Sequence, residues 1–320
     1  MPRNKKLIPS DEPLQRKISE IQKDKKQRDA IIRKSAQSVM DARISNRFFD
    51  DVYNHMYNEA DLTRRPFLNL GPGSFRHKMW RTADKNYGED KAAWTQMRRG
   101  IQQAAVDYYW DVYDGIPFPE KDGFFKVIYC SHVIEHLFAK DAAFLCHQAR
   151  RLLEPGGTLR LICPDAELMM RAYDTQDWSY FLHYLIVKTQ RMTRPMARYT
   201  DTQFREVCAE FLVDWVSLLT NEKNPKHLTR EDCVAFLDSY SSLKDAFDAA
   251  SEQSSRDLNK SIGGHVNWFD AAKLTDMLQR AGFSQVKLSG YLQSGVPVLR
   301  DPRYFDRTDP EMSLFIEAIV

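Results

Sequence analysis

Short apolar runs alternate with helix-like stretches through the middle of the chain. The strand-like runs occupy residues 66–71, 81–87, 106–112, 125–131 and 157–165. The stretch "KDAAFLCHQARRLLEP" between the last two runs has the spacing of a helix. This alternation predicts a parallel sheet that is covered by helices on both faces.

The end of the chain repeats the pattern. An amphipathic helix is predicted over 270–282, with Asp270 as its N-cap and Gly282 at its C-terminal end. Two further strands are predicted over 285–292 and 313–320. The sheet therefore has strands from both halves of the sequence.

Two segments lack the strand pattern. Residues 1–46 are polar and are predicted to form a helical N-terminal arm, which packs on the body or on a partner subunit, or frays. Residues 166–262 are predicted to be a helical insertion, because a structureless loop of that length is rare. The insertion begins at the end of a predicted strand, where open α/β sheets bind ligands, so we expect it to act as a lid. The core is predicted to comprise 47–165 and 263–320.

Composition and charge narrow the class. The 46 Lys and Arg residues against 44 Asp and Glu leave a net charge of +2, which does not favour a nucleic-acid partner. No apolar run reaches the ~18 residues of a membrane-spanning helix, and the N-terminus lacks the apolar region of a secretory signal. The five cysteines form no CxxC pair, which predicts reduced thiols and a cytoplasmic protein.

A glycine turn follows the first predicted strand. Gly71 and Gly73 lie where a missing Cβ lets a ligand approach the backbone, although an ordinary tight turn would also use them. The dinucleotide fingerprint is not met, because Arg76 stands at its third glycine and Asp84 comes only 13 residues after Gly71. A nicotinamide cofactor is therefore disfavoured.

Two acids end the next two predicted strands. The Asp84 carboxylate can accept hydrogen bonds from both hydroxyls of a ribose, and Asp111 can accept one from an adenine amino group. The alternative for each is a turn-capping aspartate. Together beside the glycine turn, they favour a nucleoside site.

Six segments resemble a known family in content and order. They are "FLNLGPGSF", "TADKNY", "WDVYDGIPFP", "VIYCSHVIEHL", "RRLLEPGGTLRLICPD" and "LTDMLQRAGFSQV". The chain resembles class I S-adenosylmethionine-dependent methyltransferases over roughly 66–165 and 263–320, and within them the type 11 branch. The opening motif, "SHVIEHL" and the terminal "DPEMSLFIEA" look most like a bacterial group often encoded in surface-polysaccharide clusters. The implied fold is Rossmann-like, with a mostly parallel seven-stranded sheet and an antiparallel last strand.

The resemblance also implies roles for individual residues. Its cofactor, S-adenosylmethionine, would contact Gly71, Pro72, Gly73, Asp84, Asp111 (or the nearby Asp114) and Ser131. Ser131 and His132 would face the cofactor and the methyl acceptor, whereas Glu135 and His136 would support the site. Two features depart from the pattern of many relatives. After the first strand this chain has Phe75 and a short link to Asp84, where many relatives have a longer helix. Lys126 differs from the residue that is common in relatives at the start of the fourth strand.

Methyl transfer to a hydroxyl is helped by a general base, for which histidine is the natural candidate. We predict that His132 or His265 is this base. The alternative for His132 is a buried residue at a strand end. The alternative for His265 is a residue that fixes a turn. "HVIEH" superficially resembles a zinc motif, but the sequence places no third ligand beside it, so no metal is predicted. Trp268, Tyr173, Trp178 and Tyr180 offer flat faces for a sugar ring or for packing.

The sequence as a whole predicts an S-adenosylmethionine-dependent methyltransferase. The preferred acceptor, from the resemblance alone, is a hydroxyl of a saccharide or sugar-containing intermediate. The alternatives are a methyltransferase acting on another small molecule, protein or RNA, and a non-catalytic module that keeps the fold for binding. A homo-oligomer through the N-terminal arm is also an expectation.

Overall fold

A computed structural model describes residues 46–86, 105–182, 185, 199–220, 227–254 and 264–320. The chain divides into two compact units, Met1–Asn58 and Glu59–Val320. Helix α1 (Asn46–Met56) is the described part of the first unit's secondary structure. Apart from Asn46, the predicted N-terminal arm lies outside the described residues.

The second unit contains a seven-stranded sheet. Its strands are β1 (Phe67–Leu70), β2 (Trp80–Asp84), β3 (Tyr108–Tyr109), β4 (Phe125–Ser131), β5 (Leu153–Pro164), β6 (Gln285–Leu288) and β7 (Ser313–Ile319). The spatial order is β3-β2-β1-β4-β5-β7-β6. Only β7 runs antiparallel to its neighbours, β5 and β6. The predicted fold class, the Rossmann-like sheet of class I methyltransferases, is confirmed.

The apolar runs account for the central strands. Every residue of β1 is buried, and so is all but the second and last residue of β4, as expected for strands covered on both faces. The third strand is shorter than the sequence predicted. It spans only Tyr108–Tyr109, because Asp111 caps a 3₁₀ turn over Val112–Asp114 and so ends the extended chain.

Eight helices of the second unit are described. They are α2 (Glu59–Arg64), α3 (Ala139–Leu152), α4 (Ala166–Asp174), α5 (Trp178–Leu182), α6 (Asp201–Val216), α7 (Arg230–Asp238), α8 (Leu243–Gln253) and α9 (Ala271–Arg280). Helix α9 begins where predicted, with Asp270 Oδ1 accepting from the Lys273 N–H at 2.7 Å, and Gly282 follows it at φ 95°. Each helix within the described ranges is too short or too polar to traverse a lipid bilayer.

The second unit has two apolar cores. One surrounds the sheet and includes α3 and α9. The other is built by α4 to α8 and extends to Trp268 and Met312, on the chain that returns to the sheet. Strands are absent from the described part of 166–262, but its role as a lid stays a prediction.

The connection from β1 to β2 contains no helix. Residues 71–79 form turns only, whereas parallel strands usually need a crossover of a dozen or more residues. Phe305, from the long segment between β6 and β7, packs there instead. Its ring centroid lies 5.7 Å from that of Phe75, and 5.0 Å from those of both Trp80 and Tyr129. An aromatic cluster thus covers the sheet where a helix would otherwise lie.

A charged side chain, Arg160, lies in the middle of β5 with no exposed surface. Its Nε and Nη2 donate to the two oxygens of Asp306 at 3.0 and 2.5 Å, and its Nη1 donates to Glu317 Oε1 at 3.2 Å. Ser289 Oγ and the Gly290 carbonyl accept the two remaining bonds, at 3.1 and 2.8 Å. All five guanidinium N–H groups therefore have an acceptor. The network joins β5 to β7 and to the segment that carries Phe305.

Candidate functional site

The glycine turn joins the ends of β1 and β2. Gly71 and Gly73 have φ values of 66° and 52°, which a residue with a Cβ rarely adopts. The Gly71 N–H donates to the Ala83 carbonyl at 2.9 Å, and the Pro72 carbonyl accepts from the Phe75 N–H at 2.8 Å. The turn is therefore fixed by its own backbone at the carboxyl edge of the sheet.

The missing side chain at Gly71 makes room for the protein itself. A Cβ added there would lie 2.3 Å from Val133 Cγ2, far inside van der Waals contact. Packing against Val133 is thus sufficient reason for a glycine at this position. A cofactor contact along the same backbone stays a prediction.

Asp84 and Asp111 lie at the ends of two neighbouring strands, as predicted. Asp84 Oδ1 accepts from the Lys85 N–H at 2.9 Å. Asp111 Oδ1 accepts from the Tyr113 N–H at 3.0 Å and so caps the turn, while its role at an adenine amino group stays a prediction. Lys85 Nζ lies 3.6 Å from Asp111 Oδ2 and connects the two strand ends. Both acids are partly exposed, so a ligand can reach them.

Ser131 is the last residue of β4 and is also partly exposed. The ends of β1, β2, β3 and β4 therefore bring Gly71, Asp84, Asp111 and Ser131 to one edge of the sheet. Ligands of open α/β sheets bind at this edge. A glycine turn followed by two carboxylates, which accept hydrogen bonds, fits a cofactor with ribose hydroxyls and an adenine amino group.

His132 follows β4 in a strained conformation, with φ 54°. Its Nδ1 lies 3.1 Å from Glu135 Oε1, and its Nε2 lies 3.0 Å from Ser313 Oγ. The Ser313 hydroxyl donates its one proton to a backbone carbonyl, that of Asp309 at 2.8 Å or Thr308 at 3.2 Å. Nε2 must therefore donate to Ser313.

The Glu135 carboxylate favours a proton on the other ring nitrogen as well. Burial lowers the pKa of His132, but the carboxylate outweighs it, and the net pKa is raised. Both ring nitrogens of His132 therefore already face a partner within the protein. This geometry does not favour the predicted role of His132 as a base.

His265 has the opposite character. Its Nδ1 lies 2.7 Å from the Trp215 carbonyl oxygen, which can only accept, so the proton is on Nδ1 and Nε2 has a lone pair. Burial and the nearby His136 ring lower the pKa of His265 to about 4. The ring therefore stays neutral at pH 7. His265 therefore retains a lone pair on Nε2, as a general base requires.

Glu135 lies between these histidines and is only 2 % exposed. Burial raises the pKa of its carboxyl, but the His132, His136 and His265 rings outweigh it and lower the pKa to about 2. Although His132 is close, neither carboxylate oxygen accepts a well-directed hydrogen bond from the described residues. The Glu135 backbone carbonyl accepts from the N–H groups of Val266 and Asn267, at 2.9 and 3.1 Å. These bonds hold the segment that carries His265 beside the 3₁₀ turn Ile134–His136.

The four aromatic residues considered for a sugar face contribute to packing. Tyr173 and Trp178 are 6.0 Å apart, and Trp178 stacks on Phe204 at 6.4 Å. Trp268 is buried and donates from Nε1 to Asp248 Oδ1 at 2.9 Å. These contacts favour the packing alternative that the sequence left open.

Comparisons with known proteins find a family model and several solved structures that are similar to this chain. Residues 74–161 match the type 11 family described as a methyltransferase domain. No curated protein sequence matches the chain. Among solved structures, the chain is similar to an S-adenosylmethionine-dependent methyltransferase from Mesorhizobium loti. That pair has 14% identity and a TM-score of 0.35, and the alignment covers 79% of this chain and 90% of that one.

Two further structures show comparable similarity. A putative S-adenosylmethionine-dependent methyltransferase from Listeria monocytogenes has 15% identity and a TM-score of 0.37, with 85% of this chain and 95% of that one covered. A possible histamine N-methyltransferase from Thermotoga maritima has 13% identity and a TM-score of 0.34, with 84% and 98% covered.

The family match and the strand order define the class of the protein. Residues 74–161 are similar to a methyltransferase domain and the sheet has the class I strand order, which together imply an enzyme that uses S-adenosylmethionine. The type 11 similarity is limited to residues 74–161, and the methyl acceptor is a matter for proposal.

Proposed function

We propose that this enzyme methylates a hydroxyl of a saccharide or of a sugar-containing intermediate. The observation that carries the proposal is the set of groups at one edge of the sheet. The Gly71–Gly73 turn, Asp84, Asp111 and Ser131 end four adjacent strands, and the neutral His265 ring belongs to the adjoining cluster. The first four groups would hold the cofactor, and His265 would serve the acceptor.

The cofactor supplies an activated methyl group on a sulfonium. As the acceptor oxygen forms its bond to the methyl carbon, the carbon–sulfur bond breaks, and its electron pair stays on sulfur. The hydroxyl proton must leave the acceptor in the same event or before it. The residues of the chain therefore have two tasks, which are to align the two substrates and to draw away that proton.

Support for a hydroxyl acceptor comes from His265, because an amine acceptor needs no such group once it is presented neutral. Support for a saccharide comes only from the resemblance of "LNLGPGS", "SHVIEHL" and "DPEMSLFIEA" to a bacterial group found in surface-polysaccharide clusters. The near-zero net charge of the chain favours a neutral acceptor over RNA.

The other regions take supporting roles in this proposal. Residues 166–262 would close over the acceptor as a lid, and residues 1–46 would join two subunits. A cytoplasmic location is proposed because all five cysteines are free and buried. Closure of residues 166–262 over the acceptor would keep water from the sulfonium.

Cofactor binding is tested with Asp84→Asn. S-Adenosylhomocysteine binding should weaken about tenfold to a hundredfold, since a hydrogen bond to a charged group contributes about 1.5–3 kcal/mol. Isothermal titration calorimetry measures the affinity. The matched control is Asp122→Asn, which changes an acid that is 78% exposed and pairs with Arg151. Equal affinities of the two variants would remove Asp84 from the site.

The acceptor is tested by incubation with methyl-labelled cofactor and a panel of glycans, small molecules, proteins and RNA. Mass spectrometry should find the label on a sugar oxygen. Label on RNA, with binding that weakens steeply as salt rises, would replace the saccharide by a nucleic acid. If S-adenosylhomocysteine leaves the melting temperature unchanged, the chain is a non-catalytic module, because a native-state ligand must stabilise.

A further inference from the structure

Three potential metal ligands meet beside the sheet edge. Glu135 and His136 are adjacent in the 3₁₀ turn after β4, and His265 comes from the chain 129 residues later. One carboxylate oxygen and one nitrogen of each ring lie within 4.8 Å of one another. The sequence could not supply this third residue, and the expectation of no metal rested on its absence.

Both rings hold the tautomer that a metal needs. His136 Nδ1 lies 3.0 Å from the Gly264 carbonyl oxygen, and His265 Nδ1 lies 2.7 Å from that of Trp215. A carbonyl only accepts, so each Nδ1 is a protonated nitrogen, and each Nε2 is the ring nitrogen left for a metal. Metal-bound histidines almost always donate their second N–H in this way, which fixes the ring orientation.

The third group, Glu135, has unsatisfied oxygens in a buried place. A carboxylate with 2% exposure and no hydrogen bond from the described residues is costly, and buried charges are usually paired, hydrogen-bonded or bound to a metal. The His132 ring at 3.1 Å from Oε1 balances part of the charge, but it leaves Oε2 without a partner. A cation would satisfy that oxygen.

We propose that Glu135, His136 and His265 bind one divalent transition metal ion, and that Zn²⁺ fits the site best. Two imidazole nitrogens and one carboxylate oxygen are a set that Zn²⁺ uses with a fourth, open position. Mg²⁺ and Ca²⁺ prefer oxygen ligands and do not suit it. Ligand atoms at about 2.0–2.1 Å from a tetrahedral ion lie about 3.4 Å apart, so their separations of up to 4.8 Å shorten by up to about 1.4 Å on binding.

The metal gives the proposed methyl transfer a route for the acceptor proton. This role rests on the proposed function. A hydroxyl oxygen on the open position of Zn²⁺ loses its proton more readily than in water, and the bound alkoxide is the nucleophile. The proton passes to solvent water, and the oxygen leaves the metal as it takes the methyl group. His265 then acts as a ligand and need not accept the proton itself.

The binding test uses the full chain without an affinity tag, stripped with a chelator and dialysed. Zn²⁺ is then titrated with a chromophoric competitor, and bound metal is measured by mass spectrometry. One equivalent should bind to the wild type and raise its melting temperature. Both Glu135→Gln and His265→Gln should weaken binding by about 100-fold or more. The matched control His147→Gln, on an exposed position of α3, should bind as the wild type does.

A second measurement does not depend on the folding of any variant. In wild-type protein labelled with ¹⁵N-histidine, Zn²⁺ should shift the Nε2 signals of two residues. The proposal is overturned if no Nε2 signal moves. It is also overturned if Glu135→Gln and His265→Gln bind Zn²⁺ as tightly as His147→Gln, or if Zn²⁺, Mn²⁺, Fe²⁺, Co²⁺ and Ni²⁺ all fail to bind at one equivalent.

The site and its role can fail separately. If Zn²⁺ binds as expected but chelation leaves methyl transfer unchanged, the metal site stands and the catalytic role is wrong. If Zn²⁺ binds while no methyl transfer occurs with any acceptor, the proposed function fails and the metal site still stands.

Discussion

Two deeply buried charged groups of the sheet region, Arg160 and Glu135, differ in how completely they are satisfied. Arg160 has no exposed surface, and all five of its N–H groups have acceptors within the protein. Glu135 is 2% exposed, and neither of its oxygens accepts a hydrogen bond from the described residues. Burial of charge alone therefore does not separate a structural group from a functional one. The hydrogen-bond partners separate the two cases. A buried charge with a complete set of partners needs no ligand, whereas one with an incomplete set needs a further partner.

The largest effect is expected from breaking the complete network. Asp306→Asn retains the shape of the side chain and suits the φ of 55° at that position. It leaves the Arg160 charge without its bidentate partner, so the free energy of unfolding should fall by about 3–5 kcal/mol. Urea denaturation measures it. A loss below about 1 kcal/mol would mean that the network is not the structural element described.

The next-largest effect is expected at the contact between Gly71 and Val133. Gly71→Ala combines a φ of 66° with a Cβ 2.3 Å from Val133 Cγ2. We expect a loss of about 2–4 kcal/mol, from backbone strain and from overpacking together. In the background of Val133→Ala only the strain remains, about 1–2 kcal/mol.

The same pair of variants separates packing from cofactor binding at Gly71. The wild type, Gly71→Ala, Val133→Ala and the double variant are compared by urea denaturation and by S-adenosylhomocysteine titration. Recovery of both stability and affinity in the double variant would show that glycine serves the contact with Val133. Recovery of stability without affinity would show that the cofactor also lies against this backbone.

The smallest effect is expected from Glu135→Gln in chelator-treated protein. The substitution has the same chemistry as Asp306→Asn, but it removes a charge whose hydrogen bonds are incomplete. The loss of attraction to His132 and the gain from removing a buried charge oppose each other, so the free energy of unfolding should change by less than about 1 kcal/mol. If the two amide variants are equally destabilising, the contrast between the groups disappears and Glu135 is a structural ion partner.

The fold was predictable because its signals are local. Apolar runs located the strands, Asp270 and Gly282 marked the ends of α9, and the glycine turn marked the end of β1. The site was only partly predictable. Strand ends converge by topology, so Asp84 and Asp111 could be placed together before the structure was known.

The groups that the sequence did not reveal depend on contacts over long distances along the chain. The third candidate ligand, His265, meets Glu135 only because backbone bonds to Val266 and Asn267 bring the two segments together. Arg160 interrupts an apolar run and carries no local sign that Asp306 and Glu317 will neutralise it. No periodicity encodes such pairings, and the sequence identified Glu135 only as a supporting residue.

The helix-free link between β1 and β2 has a consequence for the order of folding. Phe75 and Phe305 are in contact although 230 residues separate them in the sequence. The aromatic packing over β1 and β2 therefore cannot form until Phe305 has been synthesised. At a synthesis rate of about 5–20 residues per second, that interval lasts about 10–50 s on the ribosome. During this time an apolar surface is open to chaperones and to neighbouring nascent chains. The short crossover therefore makes the packing of the first strand pair depend on a segment that is synthesised 230 residues later.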